Sequence, residues 1–256
     1  MPLLEVHGLT KSFGAEKAAV SDVSFGLEAG QTLALVGESG AGKSTTGRLA
    51  LRLTAPDSGR IRFRGSDVGT LPRRGLHGFR REAQMIFQDP FSSLNPRMRI
   101  WKAVAEPMLV HRTAPRRELR DRAADLLAQV GLPSHLIDRF PTSLSGGQLQ
   151  RAAIARALAT GPALIVCDEP VAALDVSVQA QVINLLLEIQ RDRGVAYLFI
   201  THNLALVETF AHSVAVMRAG RVVEQAPVAE LFAAPREEYT KTLLDAIPEL
   251  PNSLPA

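Results

Sequence analysis

The chain has a single cysteine, Cys167, among 256 residues. It lies inside an apolar run, so neither a disulfide framework nor a cysteine metal cluster is available, and a reducing, cytoplasmic setting is expected. Nowhere does the sequence approach the roughly 18 uninterrupted apolar residues that span a bilayer. The opening residues, MPLLEVHGLTKSF, have neither the basic region nor the long apolar core of a signal peptide. Internal repeats, low-complexity linkers and nucleic-acid-binding motifs are missing too. What remains is an ordinary globular composition, 46% hydrophobic and 21% charged, in a chain long enough for one large or two small domains.

The net charge is +3 and the isoelectric point about 9.3. Much of the excess is arginine in LPRRGLHGFRRE (71–82) and RTAPRRELRDR (112–122). Such patches can meet nucleic acid or anionic lipid, but with no accompanying motif they read as solvated surface.

Four apolar runs lack the alternation of a half-exposed sheet: TLALVG (32–37), ALIVCDE (163–169), AYLFIT (196–201) and SVAVMR (213–218). They predict strands covered on both faces. One helix is expected from Lys43. Another, SVQAQVINLLLEIQRDRG, should bury Val178, Val182, Leu185, Leu186 and Ile189 and stop at Gly194. Strand and helix in alternation imply a parallel α/β core. LLEVHGLTKSF, AVSDVSFGLEAG and RIRFRG are short and turn-punctuated, which predicts an antiparallel sheet beside that core. The strand signal is absent from about 91 to 160, where RAADLLAQVGL (122–132) places Ala123, Leu126, Leu127 and Val130 at helical spacing and ends at Gly131. After Arg221 a strand end, a short helix and a second helix closed by Pro248 are expected.

GESGAGKST (37–45) fits the phosphate loop G-x-x-x-x-G-K-[ST], between an expected strand and an expected helix. Its glycines let backbone amides turn inward around phosphates, and the helix N-terminus adds partial positive charge. Lys43 is placed for the β- and γ-phosphates and Ser44 for Mg²⁺. LIVCDEP (164–170) is an apolar strand ending in two carboxylates. Asp168 suits the magnesium shell and Glu169 the polarisation of an attacking water. His202, just past another core strand, could hold a γ-phosphate, and Gln88 in IFQDP could reach magnesium or water or merely finish a strand.

A second anion-binding turn follows in LSGGQLQRAAIARAL (144–158). Ser145 can cap a helix whose face carries Leu149, Ala152, Ala153 and Leu158, and Gly146 and Gly147 leave its amides open to an anion. One nucleotide has one γ-phosphate, already encircled on one side by the first loop. The second turn therefore serves either a second ligand or a second copy of the protein, and spacing does not choose between them.

Taken in order, the phosphate loop, Gln88, LSGGQ, LIVCDEP and His202 closely resemble the ATP-binding subunit of ABC transporters, over nearly the whole chain. The resemblance implies a phosphate-loop NTPase core of α/β class with a mostly parallel sheet, an N-terminal antiparallel β subdomain and a helical insertion. It implies one ABC ATPase domain over 1–256, with 1–90 and 160–225 forming the core and antiparallel part, 91–159 the helical subdomain, and 226–256 a helical tail. In that family the signature turn of one subunit closes over ATP held by the other, so Ser145, Gly146, Gly147 and Gln148 would serve a partner's nucleotide. The same resemblance assigns Gly37, Glu38, Ser39, Gly40, Ala41, Gly42, Lys43, Ser44 and Thr45 to ATP, and Ser44, Gln88 and Asp168 to Mg²⁺. Phe13 stands where an aromatic stacks on adenine; the family often has tyrosine, but a phenyl face suffices. Glu169 corresponds to the catalytic base, His202 to the switch histidine, Gln88 to the link with the membrane subunits, and Asp175 to the loop that crosses the dimer interface. Ala172 stands where serine is common, which removes one cross-interface hydrogen bond, and Asn203 replaces a common aspartate.

FQDPFSSLNPRM (87–98), LIVCDEPVAALDVSVQAQVINLL (164–186) and APREEYTKTLLDAIP (234–248) are similar to importers for dipeptides, oligopeptides and nickel. The expected partners are a second ATPase subunit, identical or homologous, two permeases and, indirectly, an external binding protein, at the cytoplasmic face of the inner membrane. No nucleic acid is expected. Without the C-terminal cysteine cluster of some such subunits, the chain resembles the shorter partner of a pair. Two other readings are a soluble ABC ATPase acting on DNA or ribosomes and a weakly hydrolysing regulatory subunit. The first usually has tandem domains, coiled-coil insertions or zinc modules, none of which is visible. Against the second stand Glu169 and His202.

Overall fold

The computed structural model describes residues 2–14 and 18–246. The strands are β1 (Leu4–Lys11), β2 (Val20–Leu27), β3 (Thr32–Val36), β4 (Ser58–Phe63), β5 (Ser66–Asp67), β6 (Ala83–Ile86), β7 (Leu164–Asp168), β8 (Ala196–Thr201), β9 (Ser213–Arg218) and β10 (Arg221–Pro227). The helices are α1 (Lys43–Ala50), α2 (Arg73–Glu82), α3 (Pro90–Ser93), α4 (Ile100–His111), α5 (Leu119–Gln129), α6 (Gly146–Leu158), α7 (Val176–Arg193), α8 (Leu204–Phe210), α9 (Val228–Ala233) and α10 (Glu238–Asp245). They build a four-stranded antiparallel sheet, β2-β1-β4-β5, and a six-stranded sheet, β10-β9-β3-β8-β7-β6. The second is parallel from β6 to β9, with β10 added antiparallel at its edge.

The apolar runs have no alternation because both faces of the large sheet are covered. In β7, Ile165 and Cys167 face the helical layer of α4 to α7, while Leu164 and Val166 face the antiparallel sheet and α1. In β8, Tyr197 and Phe199 take the first face and Leu198 and Ile200 the second. Burial also pushes the Cys167 thiol far above its ordinary range, so this cysteine is packing rather than chemistry.

No strand lies between β6 and β7 among the described residues, and that interval is helical, as the loss of strand signal implies. α5 buries Ala123, Leu126 and Leu127, and the chain turns at Gly131 with φ 71°. α6 buries the expected Leu149, Ala152, Ala153 and Leu158. α7 ends at Gly194 as expected, but Val178 is only half-buried; Ile183 and Gln190 join Val182, Leu185, Leu186 and Ile189 inside. The first arginine-rich segment folds as α2, whose one buried side chain, Phe79, packs edge-on against Phe63 at 5.2 Å. In the second, Arg120 and Arg122 pair with Asp138 and Glu118. These are solvated arginines over a thin apolar contact.

Beyond β10, α9 and α10 form as expected, and Pro248 lies outside the described residues. The link into α10 is held by Glu224, whose carboxylate accepts from the amides of Arg236 (2.8 Å) and Glu237 (3.2 Å). Burial alone would raise the Glu224 pKa. The two amides, and the Thr240 hydroxyl lying alongside without hydrogen-bond geometry, outweigh it and hold the carboxyl below its ordinary value of 4.5. A depressed carboxyl contributes stability that is present above the unfolded pKa and lost as pH falls through the folded one. Acidifying below about pH 4.5 should therefore loosen this C-terminal segment, and Glu224→Gln should make amide exchange in α10 faster and nearly independent of pH after correction for intrinsic rates. Exchange mass spectrometry between pH 3.5 and 6 checks this.

Candidate functional site

The parallel strands end side by side. Ile86 pairs with Cys167, Asp168 with Ile200, and Val36 with Thr201, so the segments leaving β6, β7, β8 and β3 emerge on one edge. Ligands of open α/β sheets bind at this carboxyl edge. A cavity of about 490 Å³ opens there, lined by Ser39, Gly40, Gly42, Lys43, Ser44 and Thr45 of the loop after β3, by Gln88, Glu169 and His202, and by Ala19.

The loop can take its path only with glycine at two places. Gly37 has φ 147°, and a Cβ there would lie 2.2 Å from the Met217 carbonyl; Gly42 has φ 99°, and its Cβ would lie 2.3 Å from the Ala19 carbonyl. The turn is thus clamped between the end of β9 and the approach to β2. Lys43, the first residue of α1, folds back to donate to the carbonyls of Gly37 and Glu38, each at 2.8 Å. Its ammonium has three donors, of which these use two. Burial lowers the Lys43 pKa, against the nearby carboxylates of Glu169, Asp168 and Glu38, which raise it.

Ser44 donates to Asp168 Oδ1 at 2.6 Å. Asp168 is only 2% exposed, and burial raises its pKa despite the Ser44 hydrogen bond, Arg48 and Lys43. Glu169 has φ 45°, a left-handed conformation unusual for its type, fixed by its amide donating to the Ile200 carbonyl at 3.0 Å. That turn aims the carboxylate into the cavity. The Gln88 amide donates to Glu169 Oε2 at 3.2 Å, and His202 Nδ1 lies 3.3 Å from Oε1. The His202 side chain is 59% exposed and that of Glu169 15%. Glutamine, carboxylate and imidazole, separated widely in sequence, meet because their strands are neighbours.

The electrostatics suit a polyphosphate only together with a divalent cation. The amide-lined loop and Lys43 attract phosphate, while Asp168 and Glu169 would repel it unless a cation stood between. Ser44, Asp168 and Gln88 offer the hard oxygen donors that Mg²⁺ prefers, and too few to hold it without phosphate oxygens. The donor set fits.

Other expected residues lie elsewhere. Gly37, Glu38 and Ala41 shape the loop without lining the cavity. Ser145 and Gln148 form a reciprocal capping box on α6: the Gln148 amide donates to Ser145 Oγ (3.4 Å), and the Ser145 amide donates to Gln148 Oε1 (2.9 Å). Gly146 and Gly147 open that helix, and a Cβ on Gly147 would lie 2.8 Å from Val178 Cγ1, so the second glycine also permits α6 to pack against α7. None of these four residues lines the cavity. Asp175 is exposed at the N-terminus of α7 and makes no capping bond with its carboxylate. Phe13 is 61% exposed, with the Lys11 ammonium 5.7 Å from its ring centre. Ala172 is exposed and closes a turn onto the Glu169 carbonyl. Asn203 caps α8, its side-chain oxygen accepting from the Leu206 amide at 3.3 Å.

Three groups at the site were not read from the sequence. The Ala19 and Met217 carbonyls press on the loop, and the Tyr239 hydroxyl accepts from the Glu38 amide at 3.2 Å. Only a buried tyrosine's need for a polar partner hinted at the last.

Residues 20–172 match the family profile described as ABC transporter. A "Probable peptide ABC transporter ATP-binding protein" of Sinorhizobium fredii is 48% identical over 96% of this chain and 72% of its own length. The glutathione import ATP-binding protein of Escherichia coli strain K12 is 50% identical over 94% of this chain, which spans 39% of that longer protein. Among solved structures, cbiO1 of Clostridium perfringens, part of an ABC transporter complex, superposes with a TM-score of 0.81 at 30% identity, covering 91% of each chain. The ATP-binding cassette MJ0796, a dimer in a post-hydrolysis state with ADP and phosphate, gives 0.80 at 27% identity over 88% of this chain and 98% of its own.

Proposed function

The chain belongs to the ABC transporter ATP-binding family, and from that membership we propose that it is the subunit that energises an importer of short peptides, working as a pair around shared nucleotides. ATP-binding subunits of this family hydrolyse ATP to drive transport. The observation that carries the paired arrangement is a division of labour in space. Lys43, Ser44, Gln88, Glu169 and His202 share one cavity, while the second anion-binding turn, at Ser145, stands outside it with its own helix capped. A second chain's signature turn completes the site.

The residues then divide the chemistry. The loop amides and Lys43 hold the β- and γ-phosphates. Ser44, Asp168 and Gln88 would hold Mg²⁺, which would neutralise charge developing on the phosphate oxygens. Glu169 takes the proton of the attacking water while Gln88 and His202 fix its carboxylate. The partner's Ser145 hydroxyl, with the amides of Gly146 and Gly147 at a helix N-terminus, faces the γ-phosphate from the other side. Asp175, its carboxylate unused in its own chain, reaches across the pair, and Phe13 stacks on the adenine.

No helix of the described residues is long and apolar enough to cross a membrane. On the family's pattern the proposed chain sits peripherally on two permeases at the cytoplasmic face, with a second ATPase subunit and an external binding protein completing the importer. Short peptides are the favoured cargo class, because the relatives' names speak of peptide and glutathione import; nothing favours DNA or ribosomes. Asp168→Asn removes a buried carboxylate whose charged form burial disfavours. It should raise the melting temperature of the chain without nucleotide and abolish the gain in ATP affinity that Mg²⁺ brings. Calorimetric titration with and without Mg²⁺ tests this, and an unchanged Mg²⁺ dependence would remove Asp168 from the cation's shell.

A further inference from the structure

The peptide joining Gly37 to Glu38 is gripped from two directions: Lys43 donates to its carbonyl, that of Gly37, at 2.8 Å, and its amide, that of Glu38, donates to the hydroxyl of Tyr239, 201 residues further along the chain on α10. The Tyr239 ring is 8% exposed and packs with Ala34, Val36, Val214 and Val216 beneath the loop. The guanidinium of Arg218 lies 4.8 Å from the ring centre, on the same end of β9 whose Met217 carbonyl presses on Gly37. The link into α10 is tied down separately by Glu224. The hydroxyl is therefore aimed by packing, stacking and an anchored helix.

We propose that Tyr239 is a positioning residue for the phosphate loop, through which the docking of α10 sets nucleotide affinity; this rests on the reading of that loop as the ATP site. When the Lys43 ammonium turns toward phosphate it releases the Gly37 carbonyl, and the Tyr239 bond continues to hold the same peptide. A loop held in its binding geometry beforehand loses less freedom when the ligand arrives. The effect falls on binding rather than on hydrolysis, because Tyr239 touches neither Glu169 nor the cavity. Coupling of this kind is reciprocal: whatever α10 docking contributes to nucleotide affinity, nucleotide returns to α10 docking by the same factor.

The experiment compares the full chain with Tyr239→Phe, which keeps the ring and removes the hydroxyl. MgADP titration should show about fivefold weaker binding, near 1 kcal/mol at 1.4 kcal/mol per tenfold. In the assembled transporter KM for ATP should rise by a similar factor with kcat unchanged, a split that general loss of stability does not produce. The second measurement uses the unaltered chain alone: MgADP should slow amide exchange in α10. Equal MgADP affinity of the two proteins, or α10 exchange indifferent to MgADP, would overturn the inference while leaving the ATP site standing. Failure of the unaltered chain to bind MgADP would overturn the site reading and the inference with it.

Discussion

Glu169→Gln is expected to lower steady-state ATP hydrolysis at least a hundredfold while changing MgATP affinity by less than about threefold. Glutamine has the shape of glutamate and keeps polar atoms within reach of Gln88 and His202, which contact the two carboxylate oxygens at 3.2 and 3.3 Å. It loses only the capacity to accept the proton of the attacking water, a role worth about 10²–10⁴-fold in rate. The left-handed backbone at this position, φ 45°, is fixed by the bond to Ile200 and does not depend on side-chain charge. With cleavage slowed and binding intact, ATP should accumulate between paired subunits and hold them closed. Single-turnover and steady-state phosphate release measure the first effect, and sedimentation with MgATP the second. Undiminished hydrolysis would remove Glu169 from the role of base.

Lys43→Ala should weaken MgATP binding about a hundredfold or more. The side chain is buried, starts α1, and bonds two carbonyls of the loop it closes. Against a polyphosphate those donors become charge-assisted bonds, each worth about 1.5–3 kcal/mol, and two of them exceed the 2.7 kcal/mol that a hundredfold requires. Arginine at this position should not restore affinity, because its planar fork cannot replace a compact ammonium in a turn that admits no Cβ at Gly37 or Gly42. Titration calorimetry on both variants provides the check. Near-normal affinity in the alanine variant would mean that the loop amides bind the phosphates without it.

The parts of the fold legible in the sequence are those where one local signal dominates. β3, β7, β8 and β9 stood out because both faces of each are buried, and α6 because its small apolar face repeats at helical spacing. α2 was obscured: it has two glycines and one buried side chain, so charge hid its period. β6 is four residues with half-buried members, and α8 is one short helix after a cap. The spacing puts Val178 on the buried face of α7, but it lies in the first turn, where that face runs out beside Gly147.

The site divides along similar lines. The phosphate loop is contiguous, so its residues could be named from their order. Gln88 and His202 gain their meaning only when β6, β7 and β8 lie side by side and bring both to the Glu169 carboxylate. Tyr239 reaches the loop through tertiary packing alone. The unoccupied carboxylate of Asp175 and the capped turn at Ser145 are legible as motifs, but what they face belongs to another chain.

The central claim, an ATPase paired with another and seated on permeases, is tested most directly by purifying the tagged chain from gently solubilised native membranes, identifying its companions by mass spectrometry and assaying ATP hydrolysis by the recovered complex. The account predicts two multi-span permeases, a second ATPase subunit and hydrolysis that Glu169→Gln abolishes. Recovery of ribosomal or DNA-repair proteins alone, with no permease, would contradict it.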